Sequence, residues 1–463
     1  MSQFMEMVFS VLQRGLILVS LAGLGAAAVV GMVYAVHRRK HKNTPFPWKT
    51  VLLRLMAAGY LLIVLYVTMF RWTGGYRQWN LHLFRAWWEA WNHFSVKSWG
   101  NVLLNIGLFL PMGFLPPLLW RKFRKWYVTI PVCVGASAMI ELMQLVLNCG
   151  VCDVDDLFCN SLGSAIGYLA VMAFCSLFGE KRKGIRRALG YFSLALIPFV
   201  VIGGLFGAYH IREYGNLREA ATYRVDLDHL RWELECPLPG HPEQVPVYRA
   251  QTMDRSECDA FAQSMASMTG QSVLMVSYYE EMAYYNLSEG YLLVNYDDGS
   301  YEYNCADFDE EPGAAPDRRT VEEALRSFSV MIPEAASFQP EENGWYSFQC
   351  DKYADGSVML DGILKVQLAS DGTVCQIKNG LVSYTYYKNT PVISPEDAHE
   401  KLQRGEFLYA DALKRDSSEA VTVRSCVLDY QIDTKGFYQP VYLFEVLIPE
   451  TGNLCIGMIP ALR

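Results

Sequence analysis

The sequence predicts a polytopic α-helical membrane bundle of about six spans followed by an α+β extracytoplasmic domain. Three observations predict it: long apolar blocks up to about Phe206, basic clusters confined to alternate gaps between them, and mixed, acidic, turn-rich sequence from Ala208 onward. The chain has 463 residues, 52% of them hydrophobic, and a net charge of −8. Such a length holds at least two domains, and so apolar an average hides two halves that live in different solvents.

A helix needs about 20 mainly apolar residues to cross the hydrocarbon core. Blocks of that kind run from Leu12 to Val36, Val51 to Phe70, Asn101 to Leu119, Tyr127 to Leu147, Leu157 to Phe178 and Ala188 to Ala208. The first is longer than the apolar region of a signal peptide and has its basic cluster on the C-terminal side, so it reads as an uncleaved span. Lys and Arg near span ends stay in the cytoplasm. Clusters at Arg38 to Lys42, Arg121 to Lys125 and Lys181 to Arg187 follow the first, third and fifth blocks. Six spans with those loops inside place both termini, and everything after about Tyr209, outside.

Polar side chains within spans are costly and therefore informative. The third block opens with Asn101 and Asn105, the fourth carries Glu141 and Gln144, and the fifth is reached through Asp153, Asp155 and Asp156 and continues to Asn160. Helical spacing puts Asn101 with Asn105, Glu141 with Gln144, and Asp156 with Asn160, Gly163 and Gly167 on single faces. The third and fifth spans run inward and the fourth outward. All three sets therefore meet in the outer leaflet, with Glu141 roughly 9 Å below the exit. The small stripe Gly163, Gly167 lets another backbone approach. For the amides, hydrogen bonding between helices explains the placement equally well. The three aspartates repel one another unless water, a proton or a cation relieves them, which makes Asp153, Asp155 and Asp156 the candidate ligands for a divalent metal. Cys149 and Cys152 form a lone C-x-x-C in the same outer loop, a weak metal or redox signal.

Three stretches together resemble the signatures of the VanZ-like membrane proteins of bacteria: Asn105-Ile-Gly-Leu-Phe109-Leu-Pro111-Met-Gly113, Glu141-Leu-Met-Gln144, and Asp153-Val-Asp155-Asp156 through Asn160, Gly163 and Gly167 to Tyr168. The resemblance covers about Val51 to Phe178. It implies a place in the cell envelope, with lipid-linked cell-wall precursors, other membrane lipids or antimicrobials as ligands, and a link to teicoplanin-type glycopeptide resistance. It implies no settled reaction. Many members carry an Arg shortly before the acidic motif, where this chain has Cys149-Gly-Val-Cys152. A second reading is a membrane enzyme that uses a divalent cation on the aspartates to act on a lipid phosphate, with Glu141 as acid or base.

The segment between the second and third spans mixes Trp72, Trp79, Trp87, Trp88, Trp91 and Trp99 with Arg71, Arg77, Arg85 and Lys97. That composition belongs at the headgroup level, and Leu81 to Phe94 reads as an amphipathic helix lying there.

The organisation expected is therefore 1–50, a span and basic loop; 51–178, the VanZ-like domain; 179–208, a basic loop and the last span; and 209–463, the outer domain. In the last, Asp297-Asp298-Gly299 and Ser370-Asp371-Gly372 sit between alternating apolar runs and predict hairpins. Helices are expected at Ser256 to Met268, Thr320 to Ser329 and Ser394 to Arg404. The stretch from Ser394 to Met458 resembles PepSY-like outer domains, whose kinship implies an envelope protein partner. No nucleophile elbow, phosphate loop or zinc helix occurs, and an acidic outer domain excludes nucleic acid.

Overall fold

The computed structural model describes residues 30–39, 45–69, 78–148, 150–179, 181–217, 227, 230–240, 243–279, 281–305, 316–328, 330, 332–355, 357–407 and 420–463. The chain divides into two compact units, Met1–Arg212 and Glu213–Arg463.

The first unit is helical. In chain order it contains α1 (Trp48–Met69), a short strand β1 (Gln78–Asn80), α2 (Arg85–His93), α3 (Val96–Leu119), a 3₁₀ turn (Arg121–Arg124), α4 (Trp126–Leu147), β2 (Val151–Asp153), α5 (Val154–Gly179) and α6 (Lys181–Ile211). Among the described residues, five helices, α1 and α3 to α6, are long and apolar enough to cross a membrane. These match five of the six expected blocks. The first block lies outside the described residues except for its helical end at 30–36.

Two boundaries differ from expectation for local reasons. α3 starts at Val96 rather than Asn101 because Ser95 caps it, its hydroxyl accepting the Ser98 N–H at 3.1 Å. The basic residues from Lys181 onward are the first turns of α6 rather than a loop. The amphipathic segment is helical only over Arg85–His93, since Phe84 and Phe94 at its ends adopt left-handed backbone.

α5 is the centre of this unit: 39% of its apolar window is buried by protein, against 6% for α1 and α6. Its contact with α3 is backbone on backbone. A Cβ on Gly163 would lie 2.0 Å from the Ile106 carbonyl oxygen, and one on Gly167 would lie 2.0 Å from that of Leu110. From the other side, a Cβ on Gly113 would meet the Ser164 carbonyl oxygen at 1.8 Å. The contacts advance in the same sense along both helices, so α3 and α5 run parallel with α4 antiparallel to them. The Gly163 and Gly167 stripe is thus a seam for α3. At its periphery α1 is tied to α3 by the Tyr60 hydroxyl, which donates to the Leu108 carbonyl at 2.9 Å.

The second unit is α+β, with fourteen strands in one hydrogen-bonded sheet system among the described residues. In chain order they are β3 (Arg231–Leu234), β4 (Gln244–Ala250), β5 (Val273–Tyr278), β6 (Met282–Leu287), β7 (Tyr291–Asn295), β8 (Tyr301–Asn304), β9 (Ser337–Pro340), β10 (Trp345–Asp355), β11 (Val358–Leu368), β12 (Val374–Asn379), β13 (Val382–Pro391), β14 (Ala420–Ile432), β15 (Phe437–Ile448) and β16 (Asn453–Pro460). The main path runs β3-β14-β15-β4-β13-β11-β12-β8-β7-β6-β5, with β10 on β11, β9 on β10 and β16 on β15. Both expected hairpins are present. β7 (Tyr291–Asn295) pairs with β8 (Tyr301–Asn304), and β11 (Val358–Leu368) with β12 (Val374–Asn379), antiparallel in each case. Gly299 and Gly372 take positive φ at the turns, as Asp-Gly turns require. The helices are α7 (Arg255–Met268), α8 (Arg318–Leu325) and α9 (Pro395–Gln403). α7 opens with a capping box between Asp254 and Glu257, and α9 with Ser394 accepting the Asp397 N–H at 3.0 Å. The unit's two largest hydrophobic clusters among the described residues lie on different strands. One gathers α7 and α8 over β6 to β8 and β10 to β12, and the other gathers α9 with β14 (Ala420–Ile432), β15 (Phe437–Ile448) and β16 (Asn453–Pro460).

One buried acid organises the beginning of this unit. Asp433, 0% exposed, accepts hydrogen bonds from the backbone N–H of Gly215 at 2.7 Å, Lys435 at 2.7 Å and Phe437 at 2.9 Å, and from the Gln439 amide. Residues after Glu213 are thereby fastened to the β14–β15 turn.

Two substitutions test these contacts. Gly163→Leu should lower the stability of the purified full chain in detergent by about 1–3 kcal/mol through overpacking, whereas Gly135→Ala, with nothing near its Cβ position, should leave the melting temperature within error. Asp433→Ala strands three backbone donors and should destabilise the second unit by about 3 kcal/mol, read as a lower denaturant midpoint with unchanged helical signal from the first unit.

Candidate functional site: a carboxylate cluster at the start of α5

The chain turns from α4 back into α5 through β2, which pairs in parallel with β1, matching Asn80 to Asp153. This two-stranded pairing holds the acidic motif against the end of the bundle. Asp153 closes the first turn of α5, its carboxylate accepting the Asp155 N–H at 2.8 Å. The Asn80 amide donates to both Asp153 oxygens at 3.1 Å.

The other three acids face different partners. Asp155 is fully buried and accepts the N–H groups of Phe84 at 2.5 Å and Ala86 at 2.6 Å. It therefore caps α2 from a distant helix, satisfying donors that the N-terminus of α2 leaves open. Asp156 turns the other way, to the Asn105 amide of α3 at 2.5 Å. Glu141, 5% exposed on α4, accepts the Asp153 N–H at 3.0 Å. No Lys, Arg or His pairs with any of these four carboxylates among the described residues. Their partners are all neutral donors.

The remaining candidates divide. Asn160, one turn beyond Asp156, is 4% exposed; its amide donates to the Ser137 hydroxyl on α4 at 3.0 Å, and its carbonyl oxygen has no partner. Gln144 reaches away from the acids, donating to the Thr68 carbonyl of α1 at 3.1 Å, and its own buried oxygen is also without a partner. Asn101 is exposed and makes none of these bonds. It was expected beside Asn105, but its turn of α3 faces outward. Thus Asn105, Glu141, Asp153, Asp155, Asp156 and Asn160 converge, while Asn101 and Gln144 do not.

The divalent metal expected on Asp153, Asp155 and Asp156 does not suit this geometry. The three carboxylates diverge towards β1, α2 and α3, and no group of three or more His, Cys, Asp or Glu among the described residues can hold a metal ion. Cys152 lies in β2, where burial and then the neighbouring Glu141 and Asp153 raise its thiol above the usual range. That is the reverse of what a reactive or metal-binding thiolate needs. Cys149 lies outside the described residues.

The sequence reading missed Asn80, Ser137 and the two backbone donors of α2. Asn80 was visible as an isolated amide among aromatic and basic residues, but only the pairing of β1 with β2 shows its role.

Residues 57–177 match the family model VanZ/LLP1. Over this stretch the chain is similar to the VanZ family, and the stretch is called the VanZ-like domain. It contains β1, α2, α3, α4, β2 and nearly all of α5, so the whole carboxylate cluster, with Asn80 and the partners at α2 included, falls inside it. No curated protein matches the chain at a significant level. Among solved structures, the Bacillus megaterium YpeB C-terminal domain is similar at 12% identity, covering 46% of this chain and 100% of that chain, with a TM-score of 0.19.

Asp155→Ala should free the N-terminus of α2 of the VanZ-like domain. Amide hydrogen exchange at Phe84 and Ala86 should speed up by roughly tenfold, the effect of losing about 1.4 kcal/mol of hydrogen bonding, while Asp155→Asn, which keeps one acceptor, should show a smaller change.

Proposed function

We propose that this chain is a VanZ-like membrane protein of the bacterial cell envelope that binds lipid-linked cell-wall precursors or antimicrobials at the outer leaflet, and so contributes to teicoplanin-type glycopeptide resistance or envelope homeostasis. In this reading both termini lie outside and the 209–463 domain meets an envelope partner. The observation that carries it is the buried Glu141 and its neighbour Asp156, held by neutral donors alone. A buried carboxylate such as Glu141, with no cation among the described residues to neutralise it, is costly unless it serves a ligand. It favours one that brings donors: hydroxyls, amides or an ammonium group.

The lipid-phosphate enzyme gains no support, since its metal has no ligand set among the described residues.

Complementation tests the proposal. A strain lacking the protein should become more sensitive to teicoplanin, and wild type should restore resistance. Asp156→Asn and Glu141→Gln, which preserve shape and the hydrogen bonds from Asn105 and Asp153, should fail to restore it at matched membrane levels. Full rescue by both variants would reduce the cluster to a packing device, and full rescue by a chain ending near Tyr209 would remove the outer domain from the function.

A further inference from the structure

On the face of α5 away from Glu141 lies a cleft of about 620 Å³, open on one side, between α2, α3, α5 and α6. Its volume falls within the range of small-molecule sites, roughly 300–1,000 Å³. Every residue around it is apolar or aromatic. Its floor is Phe158 and Leu162 of α5, its far wall the stripe Ile197, Val201 and Leu205 of α6, and its roof the indoles of α2.

We propose that this cleft retains one hydrocarbon tail of a membrane amphiphile, as a site distinct from the lipid that surrounds the bundle. The occupant follows from the walls. α5 and α6 are both long and apolar enough to span the membrane, so the medium at the mouth is hydrocarbon, and water entering would find almost no partner. The stripe on α6 is spaced by four residues and extends about 12 Å, the shape of a chain rather than of a compact ligand.

The roof distinguishes the cleft from an ordinary lipid-facing groove. α2 ends in bulky residues with left-handed backbone, Phe84 at φ 69° and Phe94 at φ 43°, strained conformations that persist only where the surroundings impose them. Here they do. Asp155 holds the first end through Phe84 and Ala86, and Phe94 stacks on Tyr209 of α6 at the second, with rings inclined by 9°. A tail inside is therefore enclosed between α2 and the spans. Trp99 adds a polar preference: it lines the cleft, is 3% exposed, and its indole N–H has no acceptor among the described residues. An ester or ether oxygen near the top of the tail supplies one.

The inference rests on the amphiphile-binding reading for its biological meaning, but its test needs no cellular phenotype. The full chain is reconstituted in phosphatidylcholine vesicles containing increasing fractions of phosphatidylcholine brominated in its acyl chains, and tryptophan fluorescence is followed, since Trp87, Trp88, Trp91 and Trp99 all line the cleft. A retained tail gives a quenching component that saturates at a low brominated fraction, over a background proportional to that fraction. Leu162→Phe and, on the exposed wall, Val201→Phe should each fill the cleft and remove the saturable component while leaving the background. Quenching strictly proportional to the brominated fraction in wild type, or a saturable component that survives both substitutions, overturns the proposal. A saturable site in a protein whose carboxylate variants still confer resistance would leave the tail site standing and the function unsupported; the converse pattern separates them the other way.

Discussion

The contact on which the membrane unit depends is the meeting of two helix backbones. Gly163 and Gly167 admit the carbonyls of Ile106 and Leu110, and Gly113 admits that of Ser164. Helices separated by ordinary side chains stand 8–10 Å apart, a distance at which the short amide of Asn105 would not reach a short aspartate on the neighbouring helix. With the backbones in contact, Asn105 lies one residue before Ile106 and closes on Asp156 at 2.5 Å. The glycine seam thus sets the position of a polar bond at the end of the bundle. It also fixes α5 as the element around which α4, α6 and α2 are arranged.

From that centre the four acids acquire separate tasks. Asp153 shapes the start of α5 and fastens β1, Asp155 secures α2, Asp156 joins α3, and Glu141 reads the backbone of β2 from α4. A single acidic motif therefore fastens four elements, each through neutral donors. The repulsion among neighbouring carboxylates that makes such a motif look like a metal site is eased here by their divergence. Asp155 is satisfied at both oxygens by α2, which assigns it to structure, whereas Glu141 and Asp156 each receive only one of these bonds.

The spans were legible because length and apolarity are properties of consecutive residues, and the glycine stripe because helical period is local. The helix of tryptophans before α3 was legible for the same reason. Asn101 shows where such reasoning stops: four residues from Asn105, it shares a nominal face, yet only one of the two finds α5. The role of Asp155 was hidden for a deeper reason, since its partners are backbone N–H groups about 70 residues earlier, and any sequence offers those. In the outer unit the hairpins were written in their Asp-Gly turns. Asp433 was not, because nothing about an aspartate beside a turn announces that residues near Gly215 will return to it.

The balance of unused hydrogen-bonding capacity points in one direction. Among the described residues of the VanZ-like domain, buried oxygens of Asn160 and Gln144 lack donors, and Glu141 and Asp156 face no cation. What remains along α4 and the adjoining edge of α5 is an excess of acceptors. A folded membrane protein that needed these residues only for packing would gain by matching acceptors with donors, as Asn105 and Asn80 do. Such acceptors are chemically matched by amines, amides and hydroxyls. On the opposite side of α5, beneath the α2 roof, the surface is apolar. A single helix thus separates a face suited to polar donors from a face suited to a hydrocarbon tail, and an amphiphile presents both.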